Sequence, residues 1–360
     1  MAKYERILTN KATGEKALVK SNDPYLLEQK IEKQVARWQR EADKRHAENL
    51  KAEKGDDAVQ QTEEAKTRNA SYGKILAATL SKNDRIDWNE LKSNAEFHAY
   101  HPEPAPVKED FFMKVPKKSF LEVIFTFLRK SREQAEAEAL GEYETACKTY
   151  AQQEEKNRKE YEDARSLFQK KQRDHNVKVD SLRDTFEQGD KDAIEDYLNM
   201  VLERSEYPED ISLDHEISFD KSARLVRIDT QLPAFDDISF VSEVKYVASK
   251  DTFQTKYLGK TEAKSIYTAM LYQIAIRTLH EIFEAEYTGH VHFIEFNGFV
   301  SGIDPKRGTE VQTSVLKLKA DRDTFMQINL ARVDAEACAS GFGGKLEKIA
   351  FDLSSIKKSA

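Results

Sequence analysis

The stretch Tyr257–Gly308 constrains the fold most, because its apolar residues change their spacing midway. From Ala263 to Phe283 they recur every three or four residues, which predicts a helix with one wide buried face. Beyond Gly289 the segment VHFIEFNGFVSGI predicts a strand, and DPKRG at 304–308 predicts a turn before a returning strand. A helix packed on a sheet is the core of a compact domain.

Strand signals also precede this helix, which is predicted over Lys260–Glu286. Ile217 and Phe219 face Leu225–Ile228 across the turn DKSA, as in a hairpin. The alternation within Ile238–Val247 predicts a third strand. We therefore expect an α+β fold in which an antiparallel sheet, packed by an amphipathic helix, follows a long helical half.

The first half of the chain is helical and rich in charge. Asp23 is a predicted N-cap and Pro24 the first residue of a helix. Gly55 is expected to interrupt that helix. The segment HPEPAPV at 101–107 contains three prolines, which forbid a helix and predict an extended linker.

A second helical stretch is unusually long. From Ser119 to Gln188 the chain has no proline and a single glycine, Gly141. A helix of that length measures roughly 100 Å if unbroken. Its apolar seam, with alternating steps of three and four residues, is typical of a coiled coil and comprises Leu140, Tyr143, Cys147, Tyr150, Tyr161, Ala164 and Phe168. The seam predicts either antiparallel packing on Ile31–Ala42 of the same chain or a homodimer, and the sequence leaves both open.

These patterns divide the chain into four predicted regions. Residues 1–110 form a helical N-terminal region that ends in the proline-rich linker. Residues 111–205 contain the coiled-coil helix and a short helix. The α+β domain covers 206–345, and 346–360 form a polar tail.

Composition narrows the class of protein. The 360 residues carry a net charge of −7, and 34% of them are charged. A basic field over the whole chain for nucleic acid is therefore excluded, whereas a local basic patch is compatible with these values. Cys147 and Cys338 lie far apart and predict neither a disulfide framework nor a cysteine-rich zinc site. Because the N-terminus lacks the apolar core of a secretory signal, we expect a cytoplasmic protein that does not bind membranes.

Several segments resemble a region found in a group of bacterial Mrr-like restriction endonucleases. The matching segments are Phe186–Glu209, Lys245–Val247, Ile274–Ala285, Phe296–Gly308 and Leu330–Cys338. The motifs ILAATL, IDWNELK and PEPAP of the first half fit the same layout, so the resemblance covers most of the chain from about Ile75 to Cys338.

The resemblance implies a coiled-coil-rich part and an α+β module that precede a nuclease domain. About twenty residues follow Cys338 in this sequence, too few for a nuclease fold. We therefore expect the non-catalytic module without its nuclease.

On this basis the expected function is a non-catalytic sensing, scaffolding or targeting subunit of a bacterial restriction or anti-phage defence system. A separate nuclease is the expected partner protein and DNA a candidate ligand, with no cofactor. A structural coiled-coil interaction protein is one alternative, and its signature is a stable dimer without affinity for DNA.

A metal-dependent nuclease of the PD-(D/E)xK type is the other alternative. Glu243 and Lys245 form an ExK tripeptide on a predicted strand, and Asp229 lies upstream at the end of another strand. In such nucleases the acids hold Mg²⁺ and the lysine positions the attacking water. A half-exposed edge strand of alternating charge has the same tripeptide, so we assign no catalytic residue. Mg²⁺ is an expected cofactor only if the protein is such a nuclease.

His280 and Glu284 lie one helical turn apart and could hold a metal, with His290 and His292 following. A polar helix edge with ion pairs to Arg277 has the same pattern. We expect the polar edge and assign no metal site.

Two sets of residues are candidates for binding. One lies on the predicted hairpin and the other precedes the long helix, where cationic side chains could contact phosphates. They are Asn297, Asp304, Lys306 and Arg307, and Lys114, Lys117 and Lys118. Gly298 interrupts the strand after Asn297 and predicts either a bulge or a close backbone approach.

Overall fold

A computed structural model describes residues 3–119, 125–304 and 306–352. The chain forms two compact units, one combining Met1–Arg85 with Ile194–Ala360 and the other comprising Ile86–Ala193. These boundaries differ from the four predicted regions, because the N-terminal helix packs with elements of the C-terminal half. Part of the predicted tail, the start of the predicted long helix and Pro305 of the turn lie outside the described residues.

The strands are β1 (Tyr4–Thr9), β2 (Lys16–Ser21), β3 (Asp214–Asp220), β4 (Leu225–Leu232), β5 (Val241–Val247), β6 (Thr252–Tyr257), β7 (Phe293–Ile303), β8 (Glu310–Asp321) and β9 (Lys345–Leu346). The helices are α1 (Pro24–Tyr72), α2 (Lys108–Phe112), α3 (Thr126–Glu187), α4 (Lys191–Glu203), α5 (Lys260–Ala285), α6 (Arg322–Phe325) and α7 (Ala335–Gly341). None of these helices combines the length and the apolarity that a membrane span requires.

A five-stranded sheet in the order β3-β4-β7-β8-β9 forms the centre of the first unit. The predicted hairpin is confirmed, since Ile217 of β3 pairs with Ile228 of β4. The antiparallel sheet that we expected is mixed, because β4 and β7 run parallel. The reason is the connection between them: α5 carries the chain back to the same end of the sheet, as a parallel pair requires.

Helix α5 occupies its predicted place but is buried more completely than its pattern indicates. Every residue from Met270 to Leu279 is buried, including the polar residues Gln273, Arg277 and Thr278. The helix packs against α1, α7 and β7. More of the helix circumference is therefore buried than the one wide face that we predicted. The polar side chains of α5 consequently need hydrogen-bond partners inside the protein.

Helix α1 begins as predicted and continues further than predicted. The Asp23 carboxylate accepts hydrogen bonds from the backbone N–H groups of Tyr25 and Leu26, and Pro24 is the first helical residue. Gly55 does not interrupt the helix. The β1–β2 hairpin before it was not predicted, although its turn contains Gly14 with a φ of +74°.

The predicted third strand, β5, pairs with β6 in a separate two-stranded sheet. The other edge of β5 lies along α1. There the Thr62 hydroxyl accepts a hydrogen bond from the Val244 N–H at 2.9 Å, and Asn69 Nδ2 donates to the Val241 carbonyl at 2.7 Å. Side chains of α1 thus satisfy edge groups that would otherwise be open to another strand.

In the second unit, the extended segment 91–107, here called the strap, lies along α3 in the opposite direction. Tyr150 Oη donates to the Glu103 carbonyl at 2.9 Å, and Tyr161 Oη donates to the His98 carbonyl at 2.7 Å. Near the other end, the side chain of Asn176 exchanges two hydrogen bonds with the backbone of Ser93. The predicted absence of a helix in the proline-rich linker is confirmed.

The lengths of the strap and the helix match. From Leu91 to Glu103 an extended chain that rises about 3.1 Å per residue spans ~37 Å. Along α3 their partners, His175 and Tyr150, are separated by ~37 Å at 1.5 Å per residue. The same register can therefore be kept along the whole contact.

Part of the apolar seam of α3 contacts the strap and α2. Phe97 of the strap has its ring centroid 5.3 Å from those of both Tyr161 and Phe168, and Phe111 of α2 lies 5.6 Å from Tyr143. A coiled-coil partner for α3, within the chain or in a second copy, stays a prediction.

The predicted bulge at Gly298 is confirmed. The register between β7 and β8 shifts at Gly298/Phe299, which is a β-bulge. A Cβ atom at Gly298 would overlap the side chain of the buried Leu232 and lie 3.1 Å from Cε1 of Phe296. The Leu232 side chain therefore fills the space that a side chain at position 298 would need.

Replacing Gly298 with alanine should destabilise the protein by about 1–3 kcal/mol, since a buried site would be overpacked. The matched control, Gly55→Ala, adds a Cβ inside α1 where nothing lies within 4 Å. This control should stabilise the protein by about 0.5–1 kcal/mol, because alanine loses less conformational entropy than glycine when the helix folds. Chemical denaturation measures both, and equal effects would contradict the close approach.

Replacing Tyr161 with alanine should release the middle of the strap from α3. One hydrogen bond and the ring contacts with Phe97 and Tyr100 are lost. Losing even one of these contacts, worth about 1 kcal/mol, should accelerate cleavage after Glu96 by a glutamate-specific protease roughly fivefold, and losing all three should accelerate it about a hundredfold or more. The control is Leu167→Ala on the exposed side of α3, which should leave the rate unchanged. Equal rates in both variants would contradict the strap contact.

Candidate functional site

The structure places the three residues of the nuclease alternative in two different sheets. Asp229 lies on β4 of the five-stranded sheet and accepts a hydrogen bond from the Asn297 side chain. Glu243 and Lys245 lie on β5, where Lys245 Nζ is 3.2 Å from Glu243 Oε1. The acid and the ExK tripeptide are thus not brought together into one centre.

One face of the five-stranded sheet packs towards the core, and the other, here called the open face, carries polar side chains. Along β7 the two faces alternate strictly between buried and half-exposed residues. One row of the open face joins Arg227, Glu295 and Lys319, with Glu295 3.3 Å from Arg227 Nε and 2.8 Å from Lys319 Nζ. The hydrogen bond from Lys319, reinforced by Arg227, holds the pKa of Glu295 below its usual range.

The next row of the open face carries a hydrogen-bonded centre and two lysines. In register it joins Asp229, Asn297, Lys317 and Lys345. Asn297 donates to Asp229 and accepts from the Ser314 hydroxyl, so its amide orientation is held from both sides. A cavity of about 420 Å³ lies over these two rows. Lys317 and Lys345 were not among the predicted binding residues.

The predicted hairpin set is divided between two places. Asp304, Lys306 and Arg307 meet at the β7–β8 turn, where the Asp304 carboxylate accepts from the Lys306 N–H at 2.8 Å and lies 3.9 Å from Arg307 Nε. Asn297 lies on the open face, about 20 Å along the strand from this turn. The remaining set, Lys114, Lys117 and Lys118, follows α2 in the other compact unit.

The polar side of α5 forms a buried network around an ion pair. Arg277 is 2% and Glu281 1% exposed, and Arg277 Nε lies 2.6 Å from Glu281 Oε1. Arg277 Nη1 donates to the carbonyls of Ile75 and Glu206, and its guanidinium lies 4.4 Å from the ring centroid of Tyr207. A buried charge of this kind is tolerated only when it is paired and hydrogen-bonded.

Neighbouring segments complete the network. Glu281 also accepts from the hydroxyls of Thr79 at 3.1 Å and Ser205 at 2.6 Å. Gln273, two turns earlier, donates to the Tyr72 carbonyl and accepts from the Leu76 N–H. The network therefore holds the segment after α1 and the segment after α4 on α5.

A second polar group, here called the carboxylate–imidazole cluster, lies beside this network. It consists of Asp84, His280 and Glu284, whose nearest ligand atoms all lie within 4.8 Å of one another. His280 Nε2 is 3.6 Å from Glu284 Oε2, and the Thr79 hydroxyl is 3.3 Å from both oxygens of Asp84. A search of the described residues for three or more His, Cys, Asp or Glu side chains close enough to bind one metal ion finds this cluster.

The cluster shifts the pKa values of two members in opposite directions. Burial, followed by the neighbouring Glu284, raises the pKa of Asp84 to about 6. Burial lowers the pKa of His280, and the nearby Asp84 and Glu281 oppose that shift. At neutral pH the cluster therefore holds the ionised Asp84 beside an uncharged imidazole.

Sequence spacing identified two of the three members. His280 and Glu284 were recognised as neighbours on one helix face, with His290 and His292 as candidates to complete a site. In the structure His292 faces Asp323 at 3.8 Å, and the His290 N–H donates to Glu286. Asp84 takes the third place, and no local spacing could connect it with a helix so distant in sequence.

Comparisons of the chain with protein-family models, curated proteins and solved structures gave no match. The similarity to the region that precedes the nuclease domain in Mrr-like endonucleases stays a prediction.

Replacing Arg277 with methionine should destabilise the protein by about 3–5 kcal/mol, because Glu281 would be left as a buried charge without its cation. The double variant Arg277→Met/Glu281→Leu should recover part of this loss, since it removes both charges. As an external control, Arg37→Met breaks the exposed Arg37–Glu41 pair on α1 and should change stability far less. Denaturant unfolding measures all three, and a double variant less stable than Arg277→Met would contradict the buried pair.

Asp84→Asn should change how stability depends on pH. Because the folded pKa of Asp84 is raised from 3.8 to about 6, the folded state keeps a proton that the unfolded chain loses. The contribution of Asp84 is therefore present below pH 4 and is lost as the pH rises towards 6. The lowered pKa of His280 has the opposite effect, because its contribution to the free energy of unfolding increases as the pH rises to about 6.5.

The measurement is the difference in unfolding free energy between wild type and Asp84→Asn, taken in EDTA across pH 4–7. Relative to the variant, the wild type should lose stability as the pH rises through this range. A constant difference would contradict the raised pKa.

Proposed function

We propose that this chain is a non-catalytic recognition subunit of a bacterial restriction or anti-phage defence system. In this proposal it is a cytoplasmic protein that binds duplex DNA through the open face of its five-stranded sheet, and a separate nuclease supplies the cleavage. The observation that supports it best is the row of Lys317 and Lys345 beside the hydrogen-bonded Asn297.

Lys317 and Lys345 face each other across β8 and β9. Cβ atoms of such cross-strand partners are about 4.5–5.5 Å apart, so the two like charges repel each other. Neither lysine forms an ion pair with an acid of the described chain. A phosphate group would relieve the repulsion by binding both ammonium groups at once.

Asn297 adds a different kind of contact. Its amide is held in place by Asp229 and Ser314, which pre-organises the group for hydrogen bonding. Lysine contacts to phosphates position a protein on DNA, whereas fixed amide groups can contact base edges. The open face offers both kinds within neighbouring rows of one sheet.

The resemblance to the Mrr-like proteins also supports this proposal. The segments that resemble the Mrr-like proteins include Phe296–Gly308, which contains Asn297 and most of β7. The net charge of −7 requires that any DNA-binding surface be local, as these two lysines are.

The test is a DNA-binding titration of the full chain by fluorescence anisotropy, at several salt concentrations. Wild type should bind a labelled duplex with strong salt dependence, and Lys317→Ala/Lys345→Ala should reduce the salt slope by about 2. The control is Lys11→Ala/Lys33→Ala, which removes two exposed lysines of the N-terminal hairpin and α1. An equal loss in both double variants, or no binding by wild type, would contradict the proposal.

The same titration separates the two alternatives. Cleavage that requires Mg²⁺ and is lost in Glu243→Ala would replace this proposal with the nuclease based on Asp229, Glu243 and Lys245. A stable dimer without affinity for DNA would instead favour the structural coiled-coil protein.

A further inference from the structure

Three glutamates lie in or directly after the C-terminal part of α5, and two of them have arginine partners. Glu281 pairs with Arg277, and Glu286, just after the helix, lies 2.6 Å from Arg322 Nη2. Glu284 pairs with neither a lysine nor an arginine among the described residues, and the last turn of α5 contains no basic residue. Arg322 donates to the Phe283 carbonyl at the end of the helix, whereas the Glu284 carboxylate itself has no lysine or arginine partner among the described residues.

Glu284 also has an oxygen without a hydrogen-bond partner. Its Oε2 is buried and accepts no hydrogen bond from the described residues. This oxygen faces His280 Nε2 at 3.6 Å, and the Asp84 carboxylate lies on the same side. Two ionised carboxylates only accept hydrogen bonds, so they can be joined only by a proton or by a cation.

The spacing of the ligand atoms suits a cation. Ligands bound at about 2.0–2.2 Å from a small divalent ion lie roughly 3–3.6 Å from one another. His280 Nε2 and Glu284 Oε2 are already at that separation, and no pair of ligand atoms exceeds 4.8 Å.

The loop that carries Asp84 is held on α5 independently of the cluster. Arg85 Nε donates to the Glu284 carbonyl at 3.3 Å, and its guanidinium lies 5.4 Å from the ring centroid of Tyr287. Asn83 accepts from the Arg85 N–H and shapes the turn. The three ligands are therefore largely pre-organised, which reduces the entropy lost on binding an ion.

We propose that Asp84, His280 and Glu284 form a binding site for a divalent first-row transition metal ion such as Zn²⁺ or Mn²⁺. One imidazole and two carboxylates form a mixed nitrogen and oxygen set, which suits these ions better than the all-oxygen set of Ca²⁺. The ion compensates the charge at the end of α5 and links the loop at Asp84 to that helix. The site is independent of the proposed binding to DNA.

Three protein ligands leave at least one coordination position to water. The side chains of His280 and Glu284 are 17% and 32% exposed, so solvent reaches the cluster. The charged and titratable groups around the cluster are Arg277 and Glu281 from α5, Arg85 from the loop, and Tyr207 from the segment after α4. Arg277 is already engaged by Glu281 and does not replace the ion.

The test measures Co²⁺ and Mn²⁺ binding to the full chain after treatment with EDTA. Co²⁺ should show the visible absorption of a site with a nitrogen ligand, and Mn²⁺ binding is followed by electron paramagnetic resonance. Asp84→Asn and Glu284→Gln should each weaken binding roughly tenfold to a hundredfold or more, since even changes behind the ligands have effects of that size. The control is Glu262→Gln, an exposed acid in the first turn of α5, which should bind as wild type does.

Two further readouts keep the result interpretable. Asp84→Asn should remain folded in EDTA, since it removes a carboxylate that faces another, and thermal unfolding checks this. Binding by wild type should weaken as the pH falls, because protons compete with the metal ion for the imidazole and the carboxylates. Absence of binding by wild type would mean that a shared proton joins the two carboxylates. Equal affinity in all variants would place the ion elsewhere, and either result would overturn the proposal.

Discussion

Arg277 and Glu281 form an ion pair in the most deeply buried part of α5, and the first compact unit is arranged around them. The guanidinium and the carboxylate need more hydrogen bonds than they give each other, and these come from the segment after α1 and the segment after α4. Because both segments must reach α5, the N-terminal helix joins the C-terminal half of the chain. The carboxylate–imidazole cluster lies at the margin of this network, where Thr79 is shared between Glu281 and Asp84.

The open face and the buried network lie on different layers of this unit and have different chemistry. On the buried side, almost every charge is compensated by a fixed partner, which stabilises one arrangement of the segments. On the open face, Glu295 is paired twice, whereas Lys317 and Lys345 repel each other. Such an excess of positive charge beside a fixed amide is suited to a ligand from outside the protein. This contrast is why we propose recognition by the sheet and a structural ion at the helix.

Local patterns in the sequence predicted the elements well and their partners poorly. The change of period after Gly289 located α5 and β7, Asp23 and Pro24 located the start of α1, and Gly298 located the bulge. Each of these signals is local, because it depends on residues within one or two turns. The burial of Arg277, the position of Asp84 and the strap along α3 depend on contacts between distant segments, which no local spacing encodes. The seam of α3 likewise showed that a partner was needed, but not that an extended segment would cover part of it.

We propose that the open face of the sheet contacts DNA, and hydrogen–deuterium exchange of the full chain with and without a duplex locates such a contact. Amides of β8 and β9 around Lys317 and Lys345 should exchange more slowly when DNA is bound, while those of β5 and β6 should not change. Protection confined to β5 and β6, or to the turn after α2 with Lys114, Lys117 and Lys118, would contradict it.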